Sequence, residues 1–258
     1  MLVPFQQPLI KGCYAHITNP CERSRRVSID RWKRYHKKYE DHLKTIPDDT
    51  YTLMKARLHG YICGDGSISA RRERERSNAV HYEIRFYPDD KNMLEKFMTA
   101  YETLYLDTPR VVEEKRYAIV RVTSKVASLD ILKEGPFGAL DWSLPSSLFT
   151  NTANKIEWLR AFFDSEAHVG KAIQVQSVNE KGLLGVQRLL AEFGILSRMY
   201  TYERRQAAWN TNYLLVLTHK KERTKFLNKI GFYHAKKQEK LRENITPPSH
   251  NLVQPLNT

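Results

Sequence analysis

Two nine-residue stretches constrain the fold more than anything else in the chain. The first is Leu58-His59-Gly60-Tyr61-Ile62-Cys63-Gly64-Asp65-Gly66, and the second, 101 positions on, is Leu159-Arg160-Ala161-Phe162-Phe163-Asp164-Ser165-Glu166-Ala167. In each, small residues stand four apart (Gly60 and Gly64; Ala161 and Ser165), large apolar residues fill the other face, and an acid stands at the end. Residues four apart share one helical face. Two such faces can pack backbone against backbone, an arrangement better known from membrane helices. Packed that way, the pair would bring Asp65 and Glu166 together.

The elements around these stretches come in one order twice. After the first, the apolar period drops from 3.6 to 2: Tyr82, Ile84 and Phe86 alternate with His81, Glu83, Arg85 and Tyr87, a half-buried strand. Ahead of it, Ser67-Ile68-Ser69-Ala70 leads into Arg71-Arg72-Glu73-Arg74, which predicts a hairpin with a charged tip. A helix follows from Pro88-Asp89-Asp90 to about Leu106, then a hairpin from Arg110 to Ser124, then a short helix from Lys125 to Lys133. After the second stretch come a shorter hairpin around Gly170, a helix between an Asn179 cap and a Gly194 stop, and strands at Arg198 to Arg204 and Asn212 to Thr218. The closing segments superpose at an offset of 95, Thr123 on Thr218, Lys125 on Lys220, Leu132 on Leu227 and Phe137 on Phe232. Self-similarity at a fixed offset marks a duplicated unit. The expected fold is therefore α+β, two pseudo-symmetric α-β-β-α-β-β-α repeats at residues 47–145 and 146–236. A basic N-terminal extension, 1–46, precedes them, with Ser28 capping a helix over Arg31 to Leu43 and Trp32, Tyr35 and Tyr39 forming an aromatic stripe. A basic C-terminal tail, 237–258, follows, with a helix expected at about Ala235 to Glu243.

With 42 Lys and Arg against 29 Asp and Glu, the formal charge is +13, and the mean hydropathy is −0.58. Such a chain suits a polyanionic partner, nucleic acid first. No apolar run approaches the roughly 18 residues of a spanning helix, and no signal peptide opens the chain. The expectation is a soluble intracellular protein, in the cytoplasm or a DNA-containing compartment, with no membrane partner. Cys13, Cys21 and Cys63 give neither a disulfide framework nor a zinc spacing; Cys13, His16 and Cys21 would be three ligands wanting a fourth.

Two nonapeptides, each ending in an acid, inside an internal repeat of a strongly basic chain, resemble the LAGLIDADG homing endonucleases of the single-chain, two-repeat type. The resemblance covers residues 47 to 236. It is close in the first motif and looser in the second, where Glu166 replaces the usual Asp and Ala167 the usual Gly. It implies two curved antiparallel sheets forming a DNA-binding β-saddle over double-stranded DNA, the protein acting as a monomer on a long asymmetric site. A ten-residue strand spans roughly 33 Å, close to one turn of B-DNA, so two such sheets would follow a site of roughly 20 base pairs. The polar faces, in the major groove, would present Glu83, Arg85, Tyr87, Ile119 and Arg121 from the first half, with Arg71, Arg72 and Arg74 near its hairpin tip. The second half would present Gln174, Gln176, Arg198, Tyr200, Tyr202 and Arg204. The plainer alternative is a solvated sheet surface.

The resemblance further implies a metal-dependent double-strand break with short 3′ overhangs, each half cutting one strand. Asp65 and Glu166, with Gly64 and Ser165 just before them, would hold Mg2+, with Mn2+ possible and Ca2+ as a non-cleaving substitute. Lys125 and Lys220, at the start of the closing helices, would polarise the phosphate or orient the water. Asp90 and Glu180 would hold water, or else these four are caps and solvated charges. Glu166 carries one more methylene than aspartate, a displacement of about 1 Å that makes uneven cutting or nicking conceivable. A chain without flanking splicing sequence favours an intron over an intein as its source. The competing readings are an intron RNA maturase and a catalytically silent DNA-binding protein.

Overall fold

The computed structural model describes residues 19–72, 80–113, 118–202 and 210–246. Residues 1–46 and 47–258 form separate compact units. In the first, α1 spans Pro20–Leu43 and so begins well before the expected Arg31. Asn19 rather than Ser28 caps it: its side chain accepts from the Cys21 amide at 2.9 Å, and Pro20 brings a helical φ to the first position. The expected aromatic stripe is split, with Trp32 and Tyr35 exposed and Tyr39 buried.

The second unit holds both repeats. The first comprises α2 (Asp48–Cys63), β1 (Gly66–Arg72), β2 (Val80–Phe86), α3 (Lys91–Leu104), β3 (Arg110–Glu113), β4 (Ala118–Val122) and α4 (Lys125–Leu132). A 3₁₀ turn at Ser146–Leu148 leads to the second: α5 (Thr152–Glu166), β5 (His168–Val169), β6 (Ile173–Ser177), α6 (Glu180–Glu192), β7 (Arg198–Tyr202), β8 (Asn212–Leu217) and α7 (Lys220–Lys229). Each repeat contributes a four-stranded antiparallel sheet, in the matching orders β1-β2-β4-β3 and β5-β6-β8-β7. β5 is only two residues long, the shortened hairpin expected of the second half.

The alternation in the strands sorts the faces. Ile84, Phe86, Val120 and Val122 turn into the first repeat's core, where the Phe86 and Phe97 rings stack at 4.6 Å. In the second repeat, Trp158, Phe162 and Phe163 of α5 pack with Ile173, Val175, Leu215 and Leu217. The connector between the repeats is seated on α6, where a Cβ at Gly182 would lie 2.6 Å from the Trp142 ring. Asn179 Nδ2 holds the Trp142 carbonyl at 2.6 Å.

One element crosses an expected boundary. α8 (Ala235–Ile245) runs through the division placed at 236/237, and its Leu241 is fully buried in the second repeat's core. This stretch of the expected tail is part of the body. Among the described residues no helix is long and apolar enough to cross a membrane.

Candidate active centre and strand faces

α2 and α5 pack as their small residues require. A Cβ at Gly60 would stand 2.7 Å from the Trp158 carbonyl oxygen and 2.9 Å from Ala161 Cβ; one at Gly64 would stand 2.3 Å from Ser165 Cβ and 3.3 Å from Glu166 Cγ. The two backbones therefore touch along Gly60–Gly64 and Ala161–Ser165, and the chains leave the interface at Asp65 and Glu166. The Asp65 carbonyl accepts from the Tyr87 amide at 3.0 Å, which ties the motif to the sheet. Burial raises the Asp65 carboxyl above its usual range, with Lys237 opposing. Burial and then the Asp65 charge push Glu166 up to about 7. The two acids are close enough to repel.

Further up the interface, His59 fills a place beside the small residues. Its Nδ1 accepts the Trp158 indole N–H at 3.0 Å across the two helices, so the proton of the neutral ring sits on Nε2. Burial holds His59 neutral, with its pKa lowered to about 3.

The second motif carries an extra acid, Asp164, where the first has Cys63. Asp164 is fully buried and pushed up to about 7 by burial, against the hydrogen bonds it accepts. Its Oδ1 accepts the backbone amides of Tyr233 and His234, both at 3.0 Å, and its Oδ2 the Tyr61 hydroxyl at 3.3 Å. The two amides lie just ahead of α8, so Asp164 fixes where that helix starts. One turn on, Lys237 Nζ donates to the Ser165 carbonyl at 3.1 Å and to that of Asp164. Its charge acts on Asp89, Asp164, Asp65 and Glu166. Lys237 brings a cation to this centre, and it comes from the helix expected in the basic tail.

The other expected site residues are placed as follows. Lys125 and Lys220 occupy the first positions of α4 and α7, equivalent as the offset required, and both are exposed. The pairing of Asp90 with Glu180 is corrected by one residue. Asp90 caps α3 through the Asn92 amide at 2.8 Å, and its counterpart is Asn179, which caps α6 through the Gly182 amide at 2.9 Å. Glu180 instead begins α6 and is exposed. Asp89 and Asp90 also flank His234, at 3.4 Å and 3.5 Å, and the His234 hydrogen bond lowers the Asp89 pKa. Asp89, not marked in the sequence, thus joins the first repeat to the start of α8. Ser165 Oγ is buried without a hydrogen-bond partner among the described residues, and its carbonyl is held by Lys237.

The strand faces form the second part of the site. In the first sheet Ser67 pairs with Arg85, Arg85 with Arg121 and Arg121 with Arg110, so three arginines stand in one row across β2, β4 and β3. Like charges directly opposed destabilise a sheet. Glu83, on the same face, offsets part of this: it accepts Arg85 Nε at 2.8 Å and lies 3.5 Å from Arg71 Nη2. Glu83 was expected to be presented outward for contact, but it is only 7% exposed because the arginines cover it. Its role is to hold them. Ile119 is likewise buried, whereas Tyr87 is exposed. In the second sheet Gln174 and Gln176 face outward with Val216 and Leu214 directly opposite, followed by Arg198 and Tyr200 on β7, and Tyr202 opposite Asn212. Arg74 and Arg204 lie outside the described residues, as does the Arg72 side chain, whose backbone pairs with Val80.

A cleft of about 550 Å³ opens beside Glu166, lined by Ser67 from the first sheet and by Gln176 and Asn212 from the second. Among the described residues no three His, Cys, Asp or Glu side chains cluster as a metal cage. The centre offers two carboxylates and backbone oxygens.

Residues 153–231 match the family model described as a LAGLIDADG-like domain. The chain is 26% identical over 224 residues to the glutamine–fructose-6-phosphate aminotransferase of Methanocaldococcus jannaschii, covering 79% of this chain and 18% of that protein. It is 27% identical over 209 residues to the replication factor C small subunit of Thermococcus kodakarensis (75% and 21%), and 25% identical over 226 residues to the DNA polymerase of the same organism (81% and 13%). The chain thus spans about a fifth or less of these relatives' lengths. Among solved structures, I-DmoI in complex with DNA and Mn superposes with a TM-score of 0.57 at 18% identity, over 70% of this chain and 97% of that one. I-DmoI in complex with DNA and Ca gives 0.57 at 18%, over 70% and 90%. At that identity the likeness is one of fold. The second repeat thus matches a LAGLIDADG-like domain, and the two repeats share the fold of I-DmoI.

Proposed function

We propose that the chain is a homing endonuclease, which binds a long asymmetric DNA duplex as a monomer and makes a divalent-metal-dependent double-strand break with short 3′ overhangs. The observation that carries this reading is the meeting of Asp65 and Glu166 at the end of a helix pair whose backbones touch, an expensive arrangement for two carboxylates unless a cation joins them. The donor set fits Mg2+, which takes one or two carboxylates and leaves its remaining positions to water and phosphate oxygens. A divalent ion bound there would supply an activated water and stabilise the charge building on the phosphate.

The chain's own residues prepare that centre. Gly60 and Gly64 let the helices close, Tyr87 fixes the Asp65 main chain, and Asp164 starts α8, from which the charge of Lys237 reaches both acids. Lys237 favours their ionised forms, the forms that accept a cation. The arginine row of the first sheet is costly without an anion between its members, which supports a phosphate-bearing ligand. I-DmoI, which shares the fold, has been crystallised with DNA and with Mn or Ca. The matched relatives have unlike activities and share only a segment of about this length, which supports a module that moves between hosts.

The test is cleavage of a randomised plasmid library in Mg2+ or Mn2+, with the ends sequenced. Wild type is expected to leave one class of site with paired breaks. Asp65→Asn and Glu166→Gln are expected to lower cleavage by at least about 100-fold while binding persists, and Lys237→Met to slow it without weakening binding. Duplex bound but never cut in either metal would leave a silent DNA-binding protein, and preference for RNA would favour a maturase.

A further inference from the structure

The two repeats superpose row by row through their strand pairings, and at one row they differ in chemistry. Ile84 pairs with Val122 as Ile173 pairs with Leu217, and Phe86 pairs with Val120 as Val175 pairs with Leu215. Between these matched core pairs lie Arg85 with Arg121 in the first sheet and Gln174 with Val216 in the second. The row ends on the same residue type in both, Arg110 beyond Arg121 and Arg198 beyond Val216. Duplication has kept the outer arginine and changed the two central positions.

Those two positions lie on the inner strands of each sheet, β2 with β4 and β6 with β8, flanked by a strand on either side. Side chains there would face the floor of a groove, while edge-strand residues stand nearer its walls. The Arg85 side chain is 34% exposed and is oriented through Nε and Nη2 by Glu83, with Tyr87 as a second hydrogen-bond partner. Arg121 is half-buried, with its Nε buried and without a hydrogen-bond partner among the described residues. A held guanidinium reads guanine, taking O6 and N7 together. A glutamine amide reads adenine at N6 and N7, and an aliphatic side chain packs on the thymine methyl.

We infer that the duplex site is asymmetric in a defined way: a G·C pair faces Arg85 and Arg121 of the first repeat, and an A·T pair occupies the symmetry-related position facing Gln174 and Val216 of the second. This rests on the proposed function, since it requires that the sheets lie on DNA. Val216 is only 6% exposed, so it forms a low apolar floor beneath the methyl while Gln174 supplies the hydrogen bonds. Arg110 and Arg198, equivalent at the edges, serve both halves alike as backbone contacts.

The experiment is selection of duplexes from a randomised pool by the full chain in Ca2+, followed by binding measurements on the enriched site. The expected site has G·C at one position of one half and A·T at its counterpart, with replacement of either pair weakening binding about tenfold or more. Two variants separate base contact from backbone contact. Arg121→Val places the second repeat's residue in the first and leaves the Glu83–Arg85 pair intact; it should remove the G·C preference at that position and nowhere else. Gln174→Arg should convert the A·T preference to G·C in the other half. Equal base use at both positions, or an unchanged motif bound more weakly by both variants, would overturn the inference and make these side chains phosphate contacts. Enrichment of no duplex at all would instead sink the proposed function.

Discussion

Glu166 is the residue whose chemistry departs furthest from what its identity suggests. Unfolded, a glutamate titrates near 4.3; in the folded chain burial and Asp65 push it up to about 7. Between those values the folded state binds more protons than the unfolded one, so this group's contribution makes stability fall as pH rises through that window and remain lower above it. Glu166→Gln abolishes the titration. In EDTA the variant should be more stable than wild type at pH 8 by roughly 2 kcal/mol, after allowance for the group's partial exposure, and the difference should vanish towards pH 4.5. Urea unfolding across that range measures it, and parallel curves would show that the burial is not felt. The acid itself was legible in the sequence because it ends a motif. Its environment was not: Asp164, His59 and Lys237, which shape the centre, carry no local signal. Asp164 looks like one polar residue in an apolar run until its partners are known, and the amide of His234 lies 70 positions away.

At the scale of elements, the α2–α5 pair decides the architecture. Alanine is preferred to glycine inside a helix by about 1 kcal/mol, so Gly60→Ala in an isolated helix would stabilise. Here the added Cβ would lie 2.7 Å from a main-chain oxygen of α5, which cannot swing aside as a side chain can. The helices would have to part, at a cost of about 1–3 kcal/mol. A net destabilisation in urea unfolding is expected; a gain would mean the helices do not approach this closely. Spacing of small residues made this interface readable, because a periodicity of four is local. The strands and their alternation were readable for the same reason. The start of α1 was not, because Asn19-Pro20 and Ser28 are both acceptable caps by sequence. The pairing of Asp90 with Asn179 rather than Glu180 emerged only from which side chain meets an amide.

The whole molecule carries a formal charge of +13, and among the described residues its outward strand faces hold Arg71, Arg85, Arg110, Arg121 and Arg198. A protein that binds duplex DNA through these faces should neutralise about six to ten phosphates, so affinity should fall about 10³- to 10⁵-fold between 50 and 200 mM salt. Fluorescence anisotropy on the enriched duplex tests this, and a nearly flat salt dependence would contradict binding through these faces. The sequence by itself determined the duplication, the order of elements, the two packed helices and the pair of acids they deliver, because each is written in spacing along the chain. Only the tertiary structure decided that three arginines align across strands, that Glu83 lies beneath them, and that α8 folds back to hold Lys237 on the Asp164 and Ser165 carbonyls, where its charge acts on the acids. Those contacts join residues far apart in sequence, and no periodicity along a chain encodes which strand lies beside which or where a terminal helix comes to rest.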